Sequence, residues 1–451
     1  MNRDLTAAPP RPGTARGRIV RRAGTAASLL LLVSTAACTG HHDAKSGASS
    51  ASQTPYVTSS GLPYTTPSAG TALGSTGEPI PTKIPESAHV GTVPAITADQ
   101  LLVTEDHGGQ TLGIHVIDPK TGRTVSTVDS ASVNFWAVDF GIVGTHAGLP
   151  SILAAEDWRP RGTRGKADHV LTSYSGDLLN PSEIKLPDDT RLHAQNESAA
   201  LTSDGRFFVA WDDAVFGLRV VDLKTKKATG ALRAVGCGPF TWVVGHDVYS
   251  PCIDSGKIIK IHISDTGVPK VTETKSVFGK DFIGSRDAGW SPATKTAVMI
   301  TPEGTTYRID LSDGIPDTTI DSIGTLKLAK GETPGAPVLS PDGKHFAVEI
   351  SKKVDEQSVV QRVEVYDTAT FTKAFTIDPA KVGAVSGIVY GTTGTSLYVL
   401  SSKEGAMGSV WTVTGFDPAS GKKTSSATLT TTMAAVGGLA NLAAPIEIGG
   451  S

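Results

Sequence analysis

The residues best suited to chemistry in this sequence are a short group of carboxylates and histidines. Glu105, Asp106 and His107 are consecutive, and His115 follows shortly after them. Imidazole and carboxylate groups bind zinc and related metals, so these four residues are candidate metal ligands. Other histidines are predicted on loops, namely His146, His193 and His246. The alternative is that all of them are unconnected surface histidines.

The three cysteines divide into one near the N-terminus and a later pair, Cys237 and Cys252. Gly245 and His246 form a predicted hairpin turn between the paired cysteines, so the two thiols are expected opposite or diagonal to each other across one hairpin. A disulfide is therefore predicted. A redox-active pair is the alternative, but it lacks the close spacing of a Cys-x-x-Cys unit.

Motifs of known catalytic mechanism are missing from the sequence. It contains no Gly-x-Gly-x-x-Gly, P-loop, His-Glu-x-x-His, Gly-x-Ser-x-Gly or Cys-x-x-Cys pattern. We therefore assign no catalytic residue and no cofactor-binding residue, and we expect no cofactor and no catalysis by this chain alone.

The N-terminus predicts export and lipidation. Residues 1–37 combine a basic start with an uncharged apolar stretch that is too short to span a bilayer, as in a signal peptide. The small residues before Cys38 resemble a bacterial lipobox, although Thr35 stands where that motif usually has a branched apolar residue. We expect a lipid on Cys38 and a protein anchored to the outer face of the bacterial cell membrane. Plain secretion is the alternative, and Arg21-Arg22 leaves the twin-arginine route open.

Residues 38–93 are predicted to be a flexible tether, because Ser, Thr, Gly, Ala and Pro dominate them and cannot form a packed core. Residues 1–37 contain six Arg and one Asp, so their removal lowers the net charge from −3 to −8. A protein this acidic, without a long Lys/Arg cluster, is a poor nucleic-acid binder. The expected contacts are the membrane, through the lipid, and a protein partner.

A repeated sequence motif, which we call a phrase, recurs through the rest of the chain. With 49 Gly and 27 Pro, the sequence has too many helix breakers for a coiled coil or a helical bundle. An apolar run followed by Asp and a turn recurs at intervals of about 40–60 residues, which is typical of propeller blades. The phrases centre on Asp118, Asp177, Asp222, Asp265, Asp310, Asp367 and Asp417. Seven phrases predict an all-β, seven-bladed β-propeller over residues 94–451.

A second phrase, a tight turn followed by a strand, precedes several of these copies. Examples begin at Ser203-Asp204-Gly205 and Ser340-Pro341-Asp342-Gly343. Together the two phrases predict four-stranded antiparallel blades, in which each repeated Asp caps its own turn through backbone N–H groups. The tryptophans are expected to pack between blades. They are Trp136, Trp158, Trp211, Trp242, Trp290 and Trp411.

Several stretches of the chain form an ordered set: Val116 to Asp129, the basic loop Trp158 to Asp168, Leu201 to Gly205, the cysteine pair and Arg308 to Gly314. In this order they resemble the heavy subunit of the quinone-dependent amine dehydrogenases, which is itself a seven-bladed propeller. Together they span residues 100–375. The resemblance implies a scaffold without its own cofactor, because the quinone of that family belongs to a separate light chain. Ala131 to Asn134 departs from the family near its substrate channel, with Phe135-Trp136 following it.

These observations lead to one hypothesis and two alternatives. The hypothesis is a lipid-anchored extracytoplasmic propeller that acts as a binding or scaffolding module through the loops at one end of its channel. The first alternative is a non-catalytic, heavy-subunit-like component of an amine dehydrogenase. The second is an extracytoplasmic zinc chaperone.

Overall fold

The computed structural model describes the following residues: 56–57, 63–64, 97, 99–106, 112–130, 142–146, 149–161, 164–174, 181–193, 197–253, 255–279, 288–354, 357–405, 408–429, 436–441 and 446–447. The chain divides into two compact units, residues 1–90 and 91–451. In the first unit, β1 (Tyr56–Val57) pairs antiparallel with β2 (Pro63–Tyr64). The second unit contains all the other strands.

Seven sheets make up the second unit, and we number these blades in chain order. Blade 1 consists of β31 (Val436–Asn441), β3 (Leu101–Asp106), β4 (Leu112–Ile117) and β5 (Thr124–Ser130). Blade 2 consists of β32 (Ile446–Glu447), β6 (Ile142–His146), β7 (Leu149–Trp158), β8 (Asp168–Tyr174) and β9 (Pro181–Lys185). Blade 3 consists of β10 (Ala199–Leu201), β11 (Phe207–Asp212), β12 (Gly217–Asp222) and β13 (Lys227–Arg233).

The remaining blades follow the same order. Blade 4 consists of β14 (Trp242–Val244), β15 (Asp247–Cys252), β16 (Lys257–Ile263) and β17 (Pro269–Ser276). Blade 5 consists of β18 (Ala288–Ser291), β19 (Thr296–Ile300), β20 (Thr305–Asp310) and β21 (Ser322–Thr325). Blade 6 consists of β22 (Glu332–Pro334), β23 (Val338–Leu339), β24 (His345–Val354), β25 (Gln357–Asp367) and β26 (Lys373–Ile377). Blade 7 consists of β27 (Ala384–Tyr390), β28 (Leu397–Gly405), β29 (Gly408–Phe416) and β30 (Lys423–Thr428).

The predicted seven-bladed β-propeller is therefore confirmed. The short helix α1 (Pro379–Val382) joins blade 6 to blade 7, and its N-cap Asp378 accepts a hydrogen bond from the N–H of Ala380 at 2.9 Å. No helix in the described part of the chain is long and apolar enough to cross a membrane.

The two ends of the propeller sequence meet in blade 1 and close the ring. Strand β31, from the C-terminal end, pairs antiparallel with β3, the first strand of the propeller in chain order. Strand β32 then adds to β6 of blade 2 in parallel. Closure through hydrogen bonds between distant parts of the chain joins the first and last blades without an exposed sheet edge between them.

Apart from β32, the strands of each blade are antiparallel, and this order gives the propeller two distinct faces. In the count of strands that follows, β6 is the first strand of blade 2, and β22 with β23 is the first strand of blade 6. Turns between the first and second strands, and between the third and fourth, emerge on one side, which we call the turn face. Hairpins between the second and third strands, and the links from one blade to the next, emerge on the opposite side, which we call the hairpin face. Turns of neighbouring blades contact each other on the turn face. For example, the N–H of Ser203 in blade 3 donates to Gly245 O in blade 4 at 3.0 Å.

Six of the seven repeated Asp residues are described, and each of them lies at the junction of the third and fourth strands of a blade, as the sequence predicts. Side-chain oxygens of the repeat Asp residues accept backbone N–H groups of the same turn in blades 1, 3, 5, 6 and 7, so the capping role is confirmed there. The donors are Lys120 (2.9 Å), Lys224 (2.9 Å), Thr225 (3.0 Å), Ser312 (3.0 Å), Ala369 (3.1 Å), Thr370 (2.7 Å) and Ser420 (2.7 Å). Asp177 lies outside the described residues.

Apolar side chains of adjacent blades form the core. Trp242 of blade 4 stacks on Trp290 of blade 5 with ring centroids 6.2 Å apart, and Trp411 of blade 7 packs with Leu101 and Val103 of blade 1. Packing between blades is thus confirmed for these tryptophans. Trp158 is different, because 43% of its surface is exposed at the end of β7.

Candidate functional site

Among the described side chains, the hairpin face carries more of the large exposed apolar residues than the turn face does. Among the side chains that the structure describes, eight large apolar residues are exposed, and six of them lie on this face. They are Trp158, Phe216, Val235, Val354, Val359 and Val410. The other two, Val268 and Val271, lie at the turn between β16 and β17 on the turn face. Apolar side chains gathered on one face mark a surface that a partner can cover.

Two hairpins of the hairpin face project beyond the innermost strands. In blade 6 the inner strand β22 pairs no further than Lys352, whereas β24 continues to Val354. In blade 7 the inner strand β27 pairs no further than Ser402, whereas β28 continues to Gly405. At about 3.3 Å per residue, these extensions reach roughly 7–10 Å past the inner strands. They form a raised rim beside the channel.

A disulfide fixes the link between blades 3 and 4 on this face. Cys237 and Cys252 are bonded, and their Cα atoms lie 3.7 Å apart. The hairpin register predicted from the sequence is also present, because Trp242 pairs with Tyr249 and Val244 with Asp247. Cys237 itself precedes β14, and the neighbouring N–H of Gly238 donates to Pro251 O at 2.8 Å. The disulfide therefore ties the blade-to-blade link to the end of β15.

A buried ion pair holds the hairpin of blade 3. Asp212 is fully buried, and Arg219, which is 5% exposed, donates to it through Nε. The N–H groups of Arg191 and Ala214 also donate to Asp212 Oδ1, at 3.0 and 2.9 Å. Asp212 therefore joins the preceding blade-to-blade link to the hairpin of blade 3. A buried charge is tolerated there because its oxygens have charged and backbone donors.

A second buried carboxylate supports the neighbouring blade 2. Glu156 is 3% exposed and accepts hydrogen bonds from the hydroxyls of Thr172 (2.5 Å) and Tyr174 (2.8 Å). It also accepts a bond from Trp158 Nε1 at 3.1 Å. This last bond orients the exposed indole of Trp158 at the hairpin face.

Glu197 lies where the inner strand of blade 3 begins, at the hairpin-face end of the channel. Its backbone has φ 65°, which is uncommon for a residue other than glycine, and its carbonyl accepts the N–H of Thr241 at 2.8 Å. Burial raises the pKa of its carboxyl group to about 7, while a hydrogen bond from the N–H of Trp290 acts in the opposite direction. Glu197 thus connects blades 3, 4 and 5.

Glu349 on β24 is a second carboxyl group in an unfavourable environment. Its Oε1 is buried and has no hydrogen-bond partner, and burial raises the pKa of the group to about 7. Its ionised form is therefore disfavoured in the folded protein relative to the unfolded chain, where the pKa is about 4.3.

Replacement of Glu349 by Gln is expected to stabilise the protein only at high pH. The stability that the neutral carboxyl group of Glu349 contributes is fully present below the unfolded-state pKa and is lost as pH rises through about 7. We expect Glu349→Gln to raise the free energy of unfolding at pH 8 by about 1–2 kcal/mol, less than the full linkage value because the side chain keeps some contact with solvent. Urea unfolding at pH 4 and pH 8 measures this difference. An equal effect at both pH values would contradict it.

The candidate metal ligands do not form a described cluster. His115 is buried on β4, and its Nδ1 lies 3.1 Å from Thr127 Oγ1. Glu105 and Asp106 end β3, with only their backbone described, and His107 lies outside the described residues. Within the part of the chain that the structure describes, no group of three or more His, Cys, Asp or Glu side chains is arranged to hold a metal ion. Metal binding by these four residues stays a prediction.

The loop histidines lie on different faces. His193 on the hairpin face is 3.0 Å from Asp213 Oδ1, whereas His246 on the turn face is 3.0 Å from Asp204 Oδ2. His146 ends β6, and only its backbone is described. Cys38, the expected lipid attachment site, lies outside the described residues, as do residues 131–136.

Sequence reasoning missed the most informative residues of the hairpin face. Glu197, Glu349 and the Asp212–Arg219 pair belong to no motif, because their roles depend on burial between strands from distant parts of the chain. Trp158 was expected to pack between blades, and this expectation was wrong. A cue was available, because Trp158 directly precedes the basic run Arg159 to Lys166, which favours exposure.

The fold and the site define a seven-bladed β-propeller with an apolar, rimmed hairpin face. No protein-family model matches the chain, and no curated protein matches it in sequence. Among solved structures, a periplasmic gluconolactonase of Pseudomonas aeruginosa is 15% identical with a TM-score of 0.48, and the match covers 77% of this chain and 99% of that one.

Two further solved structures show how general this similarity is. A functionally unknown protein of Desulfotomaculum acetoxidans is 14% identical with a TM-score of 0.46, over 76% of this chain and 99% of the other. The propeller domain of Cps50 (Swd1) from Myceliophteria thermophila is 11% identical with a TM-score of 0.42, over 72% and 88%. Similarity at this level carries no statement about activity.

Proposed function

We propose that this protein is a lipid-anchored extracytoplasmic propeller that binds a protein partner through its hairpin face and needs no cofactor of its own. The concentration of exposed apolar residues on the hairpin face carries this proposal. Large apolar and aromatic side chains supply most of the binding energy at protein interfaces. The lipid on Cys38 and the tether 38–93 belong to the proposal and rest on the sequence alone.

The chain enters the propeller on the side opposite the hairpin face. Asp99, just before β3, lies 3.7 Å from Lys120 Nζ in the turn between β4 and β5. The chain therefore enters at the turn face, and the hairpin face lies at the opposite end of β3.

The turn face offers less for a partner to bind, because polar groups of its turns already form hydrogen bonds with turns of the neighbouring blades. His246 Nε2 of blade 4 is 3.0 Å from Asp204 Oδ2 of blade 3, and Ser291 Oγ of blade 5 donates to Pro341 O of blade 6 at 2.7 Å. Polar groups that already bond within the protein must lose those bonds before they contact a partner.

Cross-linking in intact cells tests the proposal. The full-length protein, recovered from the membrane fraction, is compared with a variant that carries Phe216→Ser and Val235→Ser on the hairpin face. We expect a cross-linked protein partner with the wild type and at least a tenfold lower yield with this variant, because both apolar contacts are removed. Mass spectrometry identifies and quantifies the partner.

The matched control carries Val268→Ser and Val271→Ser, which remove the two exposed valines of the turn face. It should keep the wild-type yield. Equal yields from all three proteins would refute the hairpin face as the binding surface, and recovery in the soluble fraction would refute the anchor. A quinone-bearing small chain among the cross-linked proteins would instead support the amine dehydrogenase role.

A further inference from the structure

Four exposed arginines on the hairpin side of blades 2 and 3 have no carboxylate partner among the described residues. They are Arg161, Arg164, Arg191 and Arg233. Neighbouring cations, in contrast, are paired: Lys166 Nζ lies 2.5 Å from Asp188 Oδ2, and Arg219 binds Asp212. Without residues 1–37 the protein has a net charge of −8. The four unpaired guanidinium groups therefore place positive charge on a protein that is acidic as a whole.

Contacts hold the two described ends of the basic loop of blade 2, residues 158–161 and 164–168. Arg159 Nη1 donates to Gly165 O at 2.9 Å, and Arg161 and Arg164 form a β-bridge across the loop. A side chain at Gly165 would clash with the ring of Pro160, since a Cβ atom there would lie 2.8 Å from Pro160 Cγ. Arg161 and Arg164 are therefore presented by a loop whose ends are fixed, which lowers the entropy cost of binding a ligand.

Contacts connect this loop to the apolar residues of blade 3. The Lys166–Asp188 pair joins the loop to the link between blades 2 and 3. Arg191, on that link, uses its carbonyl to accept the N–H of Asp213 at 2.8 Å. Phe216 follows in the same hairpin, and its carbonyl accepts the N–H of Ala234 at 2.9 Å, next to Val235. The loops that carry the arginines and the apolar residues of blades 2 and 3 are thus connected to one another.

Exposed aromatic and aliphatic groups lie in the same part of blades 2 and 3. Trp158, Phe216 and Val235 are exposed by 43%, 59% and 64%. We call the surface made of these three residues and the four unpaired arginines the basic-apolar patch. Arginine and tryptophan together are the residue types most enriched among the side chains that dominate binding energy at protein interfaces.

A shallow, open groove of about 640 Å³ lies between blades 2 and 3. Its lining residues are Lys185, Leu186, Pro187, Asp188, Lys226, Lys227 and Ala228. Its charged groups are already engaged in part, because Asp188 pairs with Lys166, Lys185 lies 3.9 Å from Asp168, and Lys226 donates to Ser182 Oγ at 2.7 Å. The groove therefore adds little to the four unpaired arginines, and the basic-apolar patch does not include it.

We propose that the basic-apolar patch binds an acidic protein segment that also carries apolar side chains, a proposal that rests on the hairpin face being the binding surface. Carboxylates of the segment pair with Arg161, Arg164, Arg191 and Arg233, since a guanidinium group binds a carboxylate through two parallel hydrogen bonds. Apolar side chains of the segment cover Trp158, Phe216 and Val235. An anionic membrane surface carries the same charge, and the experiment below distinguishes it from a protein segment.

Binding of a defined peptide tests this proposal. The probe is a fluorescein-labelled 16-residue peptide of Glu, Asp, Leu and Phe, and fluorescence anisotropy measures its Kd for the full chain in mild detergent. We expect Arg161→Glu with Arg164→Glu to raise the Kd at least tenfold, because attraction becomes repulsion. The Kd of the wild type should also rise with ionic strength.

The control variant, Lys422→Glu with Lys423→Glu, makes the same change in net charge on exposed lysines at the turn face of blade 7. It should change the Kd by less than threefold. Equal weakening by both variants would overturn the proposal, as would no peptide binding by the wild type. Arginine-dependent binding to phosphatidylglycerol vesicles without peptide binding would also overturn it, in favour of a membrane surface.

The cross-linking experiment separates the two proposals. If Phe216→Ser with Val235→Ser abolishes cross-linking while the peptide result fails, the hairpin face stands and only the acidic nature of the partner is wrong. If the peptide binds as expected while cross-linking is unchanged by that variant, the hairpin face as the site of the natural partner is wrong. Circular dichroism of each variant confirms that the fold is intact.

Discussion

Replacement of Asp212 by Ala is expected to lower the free energy of unfolding by about 3–5 kcal/mol, the range measured when one partner of a buried ion pair is removed. Asp212 is fully buried, and the variant leaves the buried guanidinium group of Arg219 with Asp189, an exposed carboxylate 3.5 Å from its Nη2, in place of Asp212. The N–H groups of Arg191 and Ala214 lose their acceptor as well. Equilibrium unfolding in guanidinium chloride measures the loss.

A double variant distinguishes two causes of the lost stability, namely the separation of Arg219 from Asp212 and the loss of packing. Asp212→Leu with Arg219→Met removes both charges and keeps apolar volume, so it should cost much less than Asp212→Ala. The remaining cost comes from the two backbone N–H groups that no longer have a partner. A double variant as unstable as Asp212→Ala would show that the ion pair does not determine the stability of this hairpin.

Removal of the disulfide by Cys237→Ala with Cys252→Ala is expected to destabilise the protein by about 3 kcal/mol. The bond closes a loop with a sequence separation of 15 residues, and a closure of this length restricts the unfolded chain by about that amount. Guanidinium chloride unfolding of the variant and of the wild type measures the difference.

Reduction of the wild type provides the matched control. Dithiothreitol should lower the stability of the wild type to that of the variant and leave the variant unchanged, because Cys38 contributes no bond to the propeller in our interpretation. A wild type that is equally stable in oxidised and reduced form would contradict a structural role for the bond.

Local signals account for the parts of the fold that the sequence predicted. The repeated Asp is both a strand-end marker and a turn cap, so the seven phrases indicate seven blades without knowledge of how blades pack. The turn at Gly245 and His246 likewise determines the pairing of Trp242 with Tyr249. Both features depend on residues within about ten positions of one another.

The other features depend on contacts between distant residues and could not be predicted. Pairing of β31 with β3 joins the two ends of the propeller sequence, and no pattern in either strand specifies that partner. Glu197 has no sequence signature, since its raised pKa results from burial between strands of three blades. Cys237 was expected opposite Cys252 within a hairpin, but it lies before the first strand, because the hydrogen bond of Gly238 to Pro251 draws the link close.

The position of β3 also determines how the propeller bears mechanical load. A pull on the chain before Thr97 acts along the axis of β3, which is held between β31 on one side and β4 on the other. Hydrogen bonds in antiparallel ladders lie perpendicular to the strands, so this pull shears all of them together and does not break them one by one. The tether that we propose would transmit force into the blade that joins both ends of the ring, where the hydrogen bonds of two ladders resist it together.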